Sequence, residues 1–332
     1  MIPGEMRKEV DIVIVNWNAG DLLYSAVEPL MRPSIQCDSI VANVFVVDNA
    51  STDGSQNKVL AAFPSVGMVH NTFNQGFARA CNQGAAEGSA DYILFLNPDA
   101  ALQPSELRAM LEFMAEPVSS NIAVLGPQVR NASGNVERTC ARSPLLRHFL
   151  CRAFGLHQIL SSKYADFAMR EFDHLSSLHV DQVIGACILT RRAVFEALGG
   201  FDERFFVYFE EVDYCRRVRE SGWRVYFRSE NYVTHVGNGT TDRVKGFRFY
   251  LSLRSRMTYA HKWFTRRSAL FVDITSLLIE PLIRTIFVVS TGRMRDVGDV
   301  LDGAQRLWKW RLGSQLTQSS TVRLDDRETG RE

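Results

Sequence analysis

An α/β fold with a mostly parallel central sheet and flanking helices is predicted by three features of the sequence. Short β-branched apolar runs recur at 10–15 (VDIVIV), 43–47 (NVFVV) and 92–96 (YILFL), as buried parallel strands do. Stretches of helical composition, 21–31 and 76–88, separate them, so the first hundred residues read β-α-β-α-β. Each run also ends in polar residues: Asn16-Trp17-Asn18, then Asp48 to Asp53, then Asn97-Pro98-Asp99. Ligands in such sheets sit beyond the carboxyl ends of the strands, so the three loops predict one shared crevice.

Further along, 183–189 (VIGACIL) reads as another strand and 191–198 as a helix ended by Gly199-Gly200. Residues 209–221 read as a helix ended by Gly222. Residues 130–180 show no clear period and are taken as an acceptor-side insertion. The domain boundaries read from this pattern are 1–240, with halves at 10–100 and 101–240, then a helical segment 241–313 and a disordered polar tail 314–332.

With 332 residues, 46% hydrophobic content and a net charge of +1, the chain can bury a large core. It is too balanced to be a nucleic-acid binder as a whole. Six scattered cysteines without a C-x-x-C pair fit a reducing compartment. The N-terminus turns apolar only briefly, as a strand and not a signal peptide. A cytoplasmic catalytic domain is the expectation.

The segments VIVNWN (13–18), VVDNASTDGS (46–55), NQGFARACNQG (74–84), YILFLNPDA (92–100) and GACILTRRAVFEALGGFDERFFVYFEEVDYCRRVRESGWRVYF (185–227), followed by His235, resemble the inverting family 2 glycosyltransferases of the GT-A fold. Within that family they are similar to the rhamnosyltransferase branch that builds bacterial surface polysaccharides. The resemblance covers residues 10–240. It implies transfer of a sugar from a dTDP- or UDP-linked donor, dTDP-rhamnose being one example, to a hydroxyl of a saccharide or lipid-linked acceptor. A non-catalytic sugar-nucleotide-binding assembly subunit is the alternative, because Asn97 replaces the first acid of the family's Asp-x-Asp site. A nicotinamide-dependent oxidoreductase ranks far lower, since no G-x-G-x-x-G follows the first strand.

Sugar transfer needs its diphosphate leaving group neutralised. Mg²⁺ or Mn²⁺ does this with only one or two protein carboxylates when phosphates supply the other ligands. The resemblance gives that metal to Asp99, with His235 completing the site. Asn97 brings no charge and is left the ribose or the metal's water shell.

Inversion needs a base opposite the leaving group. Phe209-Glu210-Glu211-Val212-Asp213 supplies three carboxylates. Adjacent helical side chains diverge by about 100°, so only one of Glu210 and Glu211 can aim squarely into the crevice; the family pattern points to Glu211. Asp213 is expected on the helix surface or behind the site. Nucleotide recognition falls to Asn16, Asn18, Asp48, Asn49 and Asp53, with Arg79 reaching across from the 76–88 helix. By resemblance, Asp48 accepts the imide N–H of uracil or thymine. Gly200 and Asp202 are expected beneath the acceptor.

From Arg243 to Arg267 stand eight Lys or Arg, no Asp or Glu, and interleaved aromatics, a block suited to an anionic membrane surface or a lipid diphosphate. Residues 268–290 are apolar except for Asp273, Glu280 and Arg284, which fall on one stripe of a helix. That pattern favours a helix lying in the interface or packed on the domain over one that spans. Peripheral contact at the inner face of the cytoplasmic membrane, through 243–290, is therefore expected.

Overall fold

A computed structural model of the chain describes residues 8–32, 40–236 and 245–313. Strand and helix alternate at first: β1 (Lys8–Asn16), α1 (Asp21–Val27), β2 (Ile40–Asp48), α2 (Ser55–Ala62), β3 (Gly67–His70), α3 (Phe77–Ala86) and β4 (Tyr92–Leu96). Strands β3, β2, β1 and β4 lie side by side in parallel. Their interior positions are mostly apolar because helices cover the sheet, the buried Asp11 of β1 being paired with Arg192. The register sets Asn16 beside Asp48 and Ile14 beside Leu96, so the polar ends of β1, β2 and β4 emerge at one edge.

The second half is β5 (Ala100–Ala101), α4 (Pro104–Ala115), β6 (Ile122–Arg130), β7 (Val136–Glu137), α5 (Leu146–Ala153), α6 (Ser162–Ala165), β8 (Leu178–Val180), β9 (Cys187–Arg191), α7 (Arg192–Ala197), α8 (Glu210–Glu220) and β10 (Arg224–His235). These extend the sheet in the order β3-β2-β1-β4-β9-β6-β10-β5, with β7 on β6 and β8 on β10. The sheet is mixed, since β9 runs antiparallel to both β4 and β6. The strand expected at 183–189 thus begins only at Cys187. Because β9 is reversed, the loop before it, Ile184 to Ala186, is what reaches the edge where β4 ends.

Four helical pieces follow: α9 (Lys245–Trp263), α10 (Arg266–Ile274), a π-helical turn at Thr275–Ile279, and α11 (Glu280–Ser290), then α12 (Asp296–Gly313). Pro281 has no N–H to give the Leu277 carbonyl, and the Trp308 indole N–H donates to that oxygen instead, at 3.2 Å. The predicted charged stripe faces inward. Asp273 accepts from Arg311 at 2.9 Å and lies 2.9 Å from His261 Nε2. Glu280 is buried against Arg256 and pairs with Arg284. None of the described helices is long and apolar enough to cross a membrane.

Three cations of the basic block expected to face an anion find acids within the chain. Lys245 pairs with Asp296, Arg256 with Glu280, and Lys262 with Asp202 and Asp213. Its aromatics Phe249, Tyr250 and Tyr259 are core. Arg243 and the tail 314–332 lie outside the described residues.

Burial opposes ionisation of Glu280, but Arg256, Arg284 and Arg152 hold its carboxyl below its ordinary range. Glu280→Gln leaves the buried guanidinium of Arg256, 3% exposed, without its anion. Urea unfolding is expected to show a loss of about 3 kcal/mol.

Candidate active site

A cavity of about 350 Å³ opens at the sheet edge where β1, β2 and β4 end. Its wall combines Val15 near the end of β1, Trp17 after it and Leu22 of α1, with Asn49 after β2 and Asn97, Pro98 and Asp99 after β4. Ile184, Gly185 and Ala186 from the loop before β9 close one side, and Phe206, Tyr208, Glu210 and Glu211 another. Phe247 and Leu251 of α9 complete it. The boundary read at residue 240 therefore divides this cavity's wall.

The two acids sit where the backbone is forced. Tyr208 and Phe209 both adopt positive φ, at 66° and 70°, an uncommon state for bulky residues that surrounding contacts must hold. Those contacts are specific. The Phe206 carbonyl accepts the N–H of Phe77, at the start of α3, at 2.6 Å. A Cβ on Gly76, itself at φ 89°, would stand 2.6 Å from that same oxygen, so glycine is required there. On the other side, Ser255 of α9 donates to the Val207 carbonyl at 2.7 Å.

Helix α8 then begins with Glu210 and Glu211 in its first turn, where the helix dipole favours negative charge. Both acids line the cavity. They are not equivalent. Glu210 is 4% exposed, whereas Glu211 is partly exposed and lies against Gly185. The Oε2 atom of each is buried without a hydrogen-bonding partner among the described residues.

Burial, then the Glu211 charge, pushes the Glu210 carboxyl well above its ordinary range. Burial also raises Glu211, but backbone N–H groups of the helix start pull it back. Of the two, Glu210 is held further from the ionised form, by its deeper burial and by the neighbouring Glu211 charge.

A carboxyl raised on folding contributes stability that is complete below its unfolded pKa and is lost as pH rises through the folded one. Glu210→Gln is accordingly expected to raise Tm by a few degrees at pH 8, with the gain vanishing near pH 4; thermal unfolding across that range checks it.

Asp99 and His235 meet because β5 pairs with the end of β10, with His235 opposite Ala100. His235 Nε2 stands 3.2 Å from Asp99 Oδ1. Thus His235 ends a strand and is not carried by a loop beyond it. The Asp99 hydrogen bond raises the imidazole pKa against the effect of burial. Glu137, on β7, lies 3.8 Å from His235 Nδ1; the N-A-S-G-N stretch at 131–135 was its available hairpin signal. Among the described residues no group of three or more His, Cys, Asp or Glu forms a metal cage. One carboxylate oxygen and one imidazole nitrogen do suit a divalent cation that takes its other ligands from a diphosphate.

The nucleotide residues divide into frame and wall. Asn16 Nδ2 donates to Asp48 Oδ1, Ser51 Oγ and Ser55 Oγ at 2.8, 3.0 and 2.9 Å. Asp48 Oδ2 accepts from the Ser51 N–H at 3.1 Å. Asn18 Oδ1 accepts from the Thr52 N–H, and Asp53 from Gly20 and Ser55. These residues tie the β1 and β2 loops together. Asp48, 3% exposed, is engaged in that frame. Asn49 is the member of the loop that reaches the wall.

Three of the predicted site residues lie apart from this cavity. Arg79 lies on the outer side of α3, 3.8 Å from Glu203, and does not enter the cavity. Gly200 and Asp202 line a separate cleft with Asn82, Arg217 and Lys262. Asp202 is held there by Arg204 and Lys262, both at 2.6 Å. A Cβ at Gly200 would approach Asn82 Oδ1 to 2.6 Å, so this glycine serves packing. Asp213, expected on the helix surface or behind the site, is fully buried among Arg217, Lys262 and Trp263, which excludes the surface.

Residues 11–199 match the model of "Glycosyl transferase family 2". The chain belongs to this family. It is therefore a glycosyltransferase. It is 29% identical over 215 residues to the N-acetylglucosaminyl-diphospho-decaprenol L-rhamnosyltransferase of Mycobacterium tuberculosis, covering 60% of this chain and 68% of that one. To the rhamnosyltransferase WbbL of Escherichia coli K12 it is 23% identical over 191 residues, 54% and 68% of the two chains. In structure it is similar to the mannosyltransferase PcManGT of Pyrobaculum calidifontis, solved with GDP-Man and Mn²⁺, at a TM-score of 0.53 and 14% identity over 91% of this glycosyltransferase and 88% of that one. That likeness carries the expected GT-A fold.

Proposed function

We propose that this glycosyltransferase moves a deoxyhexose or hexose from a dTDP- or UDP-linked donor to a hydroxyl of a lipid-linked saccharide, with inversion at the anomeric carbon. The observation that carries the reading is the convergence, at one cavity, of an acid pair with unpartnered oxygens and of Asp99, which His235 backs at 3.2 Å. The names of the rhamnosyltransferase relatives support rhamnose as the sugar, and the decaprenol in one of them supports a polyprenyl-linked acceptor at the inner face of the cytoplasmic membrane.

In this reading Glu211 accepts the proton of the acceptor hydroxyl as its oxygen attacks the anomeric carbon and the bond to the diphosphate breaks. Glu210, protonated and sealed below, keeps the local charge single so that Glu211 remains a base. Asp99 and His235 would hold Mg²⁺ or Mn²⁺, which supplies charge neutralisation to the departing diphosphate. Asn97 and Asn49 are neutral hydrogen-bonding groups on the same wall, suited to ribose and base. Trp17, Phe206 and Tyr208 offer apolar faces to a sugar ring.

Incubating the protein with Mn²⁺ and a panel of nucleotide sugars, with and without a polyprenyl-diphosphate saccharide, tests the reading. Transfer from a dTDP- or UDP-sugar is expected. Binding of nucleotide sugars without turnover would instead favour a non-catalytic assembly subunit.

A further inference from the structure

The C-terminal helices α10 and α11 are amphipathic in the reverse sense. Their two acids, Asp273 and Glu280, point into the protein, where Arg311 and His261 meet the first and Arg256 and Arg284 the second. The opposite side presents Leu270, Phe271, Ile274, Leu278, Leu282 and Ile286, each between 44% and 56% exposed. These positions recur every three or four residues and form one stripe along the pair of helices. A contiguous apolar face of this kind marks an interaction surface.

Charge at its ends narrows the occupant. Arg266 and Arg267 are exposed where α10 starts, and Arg293 and Arg295 are exposed just beyond α11. Between Phe264 and Arg295 the only acids are the two buried ones. A two-fold contact between copies through this stripe would set arginines against arginines in either helix orientation. A bilayer carrying anionic headgroups complements both ends and the apolar middle. Beneath the stripe, α10 packs on α9, whose Phe247 and Leu251 line the active cavity.

From this we infer that the outer face of α10–α11 docks in the plane of an anionic phospholipid bilayer, the acids inward and the apolar stripe among the acyl chains. Its use, bringing a lipid-linked acceptor beside the cavity, rests on the function proposed above; the docking itself does not. The core aromatics of α9 and its Arg256 and Lys262 are not the contact, since they are spent inside the fold.

Cosedimentation of the full chain with vesicles of phosphatidylglycerol and phosphatidylcholine, against phosphatidylcholine alone, tests the docking. Strong binding to the anionic vesicles, weakening as salt is added, is expected. Arg266→Gln with Arg267→Gln should lower partition by about fivefold for each arginine, and Leu278→Gln with Leu282→Gln should abolish it.

An unchanged thermal transition and unchanged transfer to a short soluble saccharide verify folding; should the leucine variant fail that check, the arginine variant decides. Wild-type protein that ignores both vesicle types, variants that bind as wild type does, or a dimer dissolved by the leucine variant with vesicle binding intact would each overturn the inference. Absence of transfer in the wild type, with vesicle binding retained, would overturn the proposed function instead.

Discussion

Glu211→Gln is expected to lower sugar transfer by about 10³-fold while leaving donor affinity within about twofold of wild type. The size follows from what is removed. Glutamine keeps the length and the hydrogen-bonding outline of the side chain but cannot take a proton, so binding survives and the proton-transfer step does not. Because burial raises the carboxyl, wild-type kcat/KM should climb with pH through a value above that of an ordinary glutamate. The variant should lose that limb. A pH profile of kcat/KM, with donor affinity from calorimetry on the same preparations, separates loss of a base from loss of fold.

The second large effect concerns Asp99. Asp99→Ala is expected to weaken Mn²⁺-dependent donor binding by about 10²-fold or more, and His235→Gln by about tenfold, since it removes one neutral ligand and no charge. Asn97→Ala should do less to metal dependence than either, its amide carrying no charge to the cation. Calorimetric titration of the nucleotide diphosphate with and without Mn²⁺ reads all three. An Asp99→Ala protein whose affinity responds to Mn²⁺ as the wild type does would remove Asp99 from the metal site.

Much of the donor half was legible because its signals are local. Parallel strands buried on both faces must be apolar throughout, and the polar residues that end them must share an edge once the register aligns Asn16 with Asp48. Strand β6 escaped detection because Pro127 interrupts it, and proline within an apolar run argues against a central strand. The structure accommodates it opposite Arg228, where the β10 ladder then slips by a bulge.

What a side chain faces was less legible than where it lies in the sequence. Asp48 and Asn49 are neighbours, yet one holds the loop frame and the other reaches the cavity. Gly200 and Asp202 looked like an acceptor loop, but their partners, Asn82 and Lys262, come from distant parts of the chain. The basic block read as an anion-seeking surface for the same reason: its acids at 202, 213, 280 and 296 converge only after folding. Periodicity placed Asp273 and Glu280 correctly on one stripe but carried no information about which way that stripe turns.

The central claim, a single displacement with Glu211 as base at this cavity, is tested most directly by the anomeric configuration of the first product formed, read by proton NMR before any equilibration. The account predicts the configuration opposite to that of the sugar in the donor. A product that retains the donor's configuration would require two displacements and contradict it.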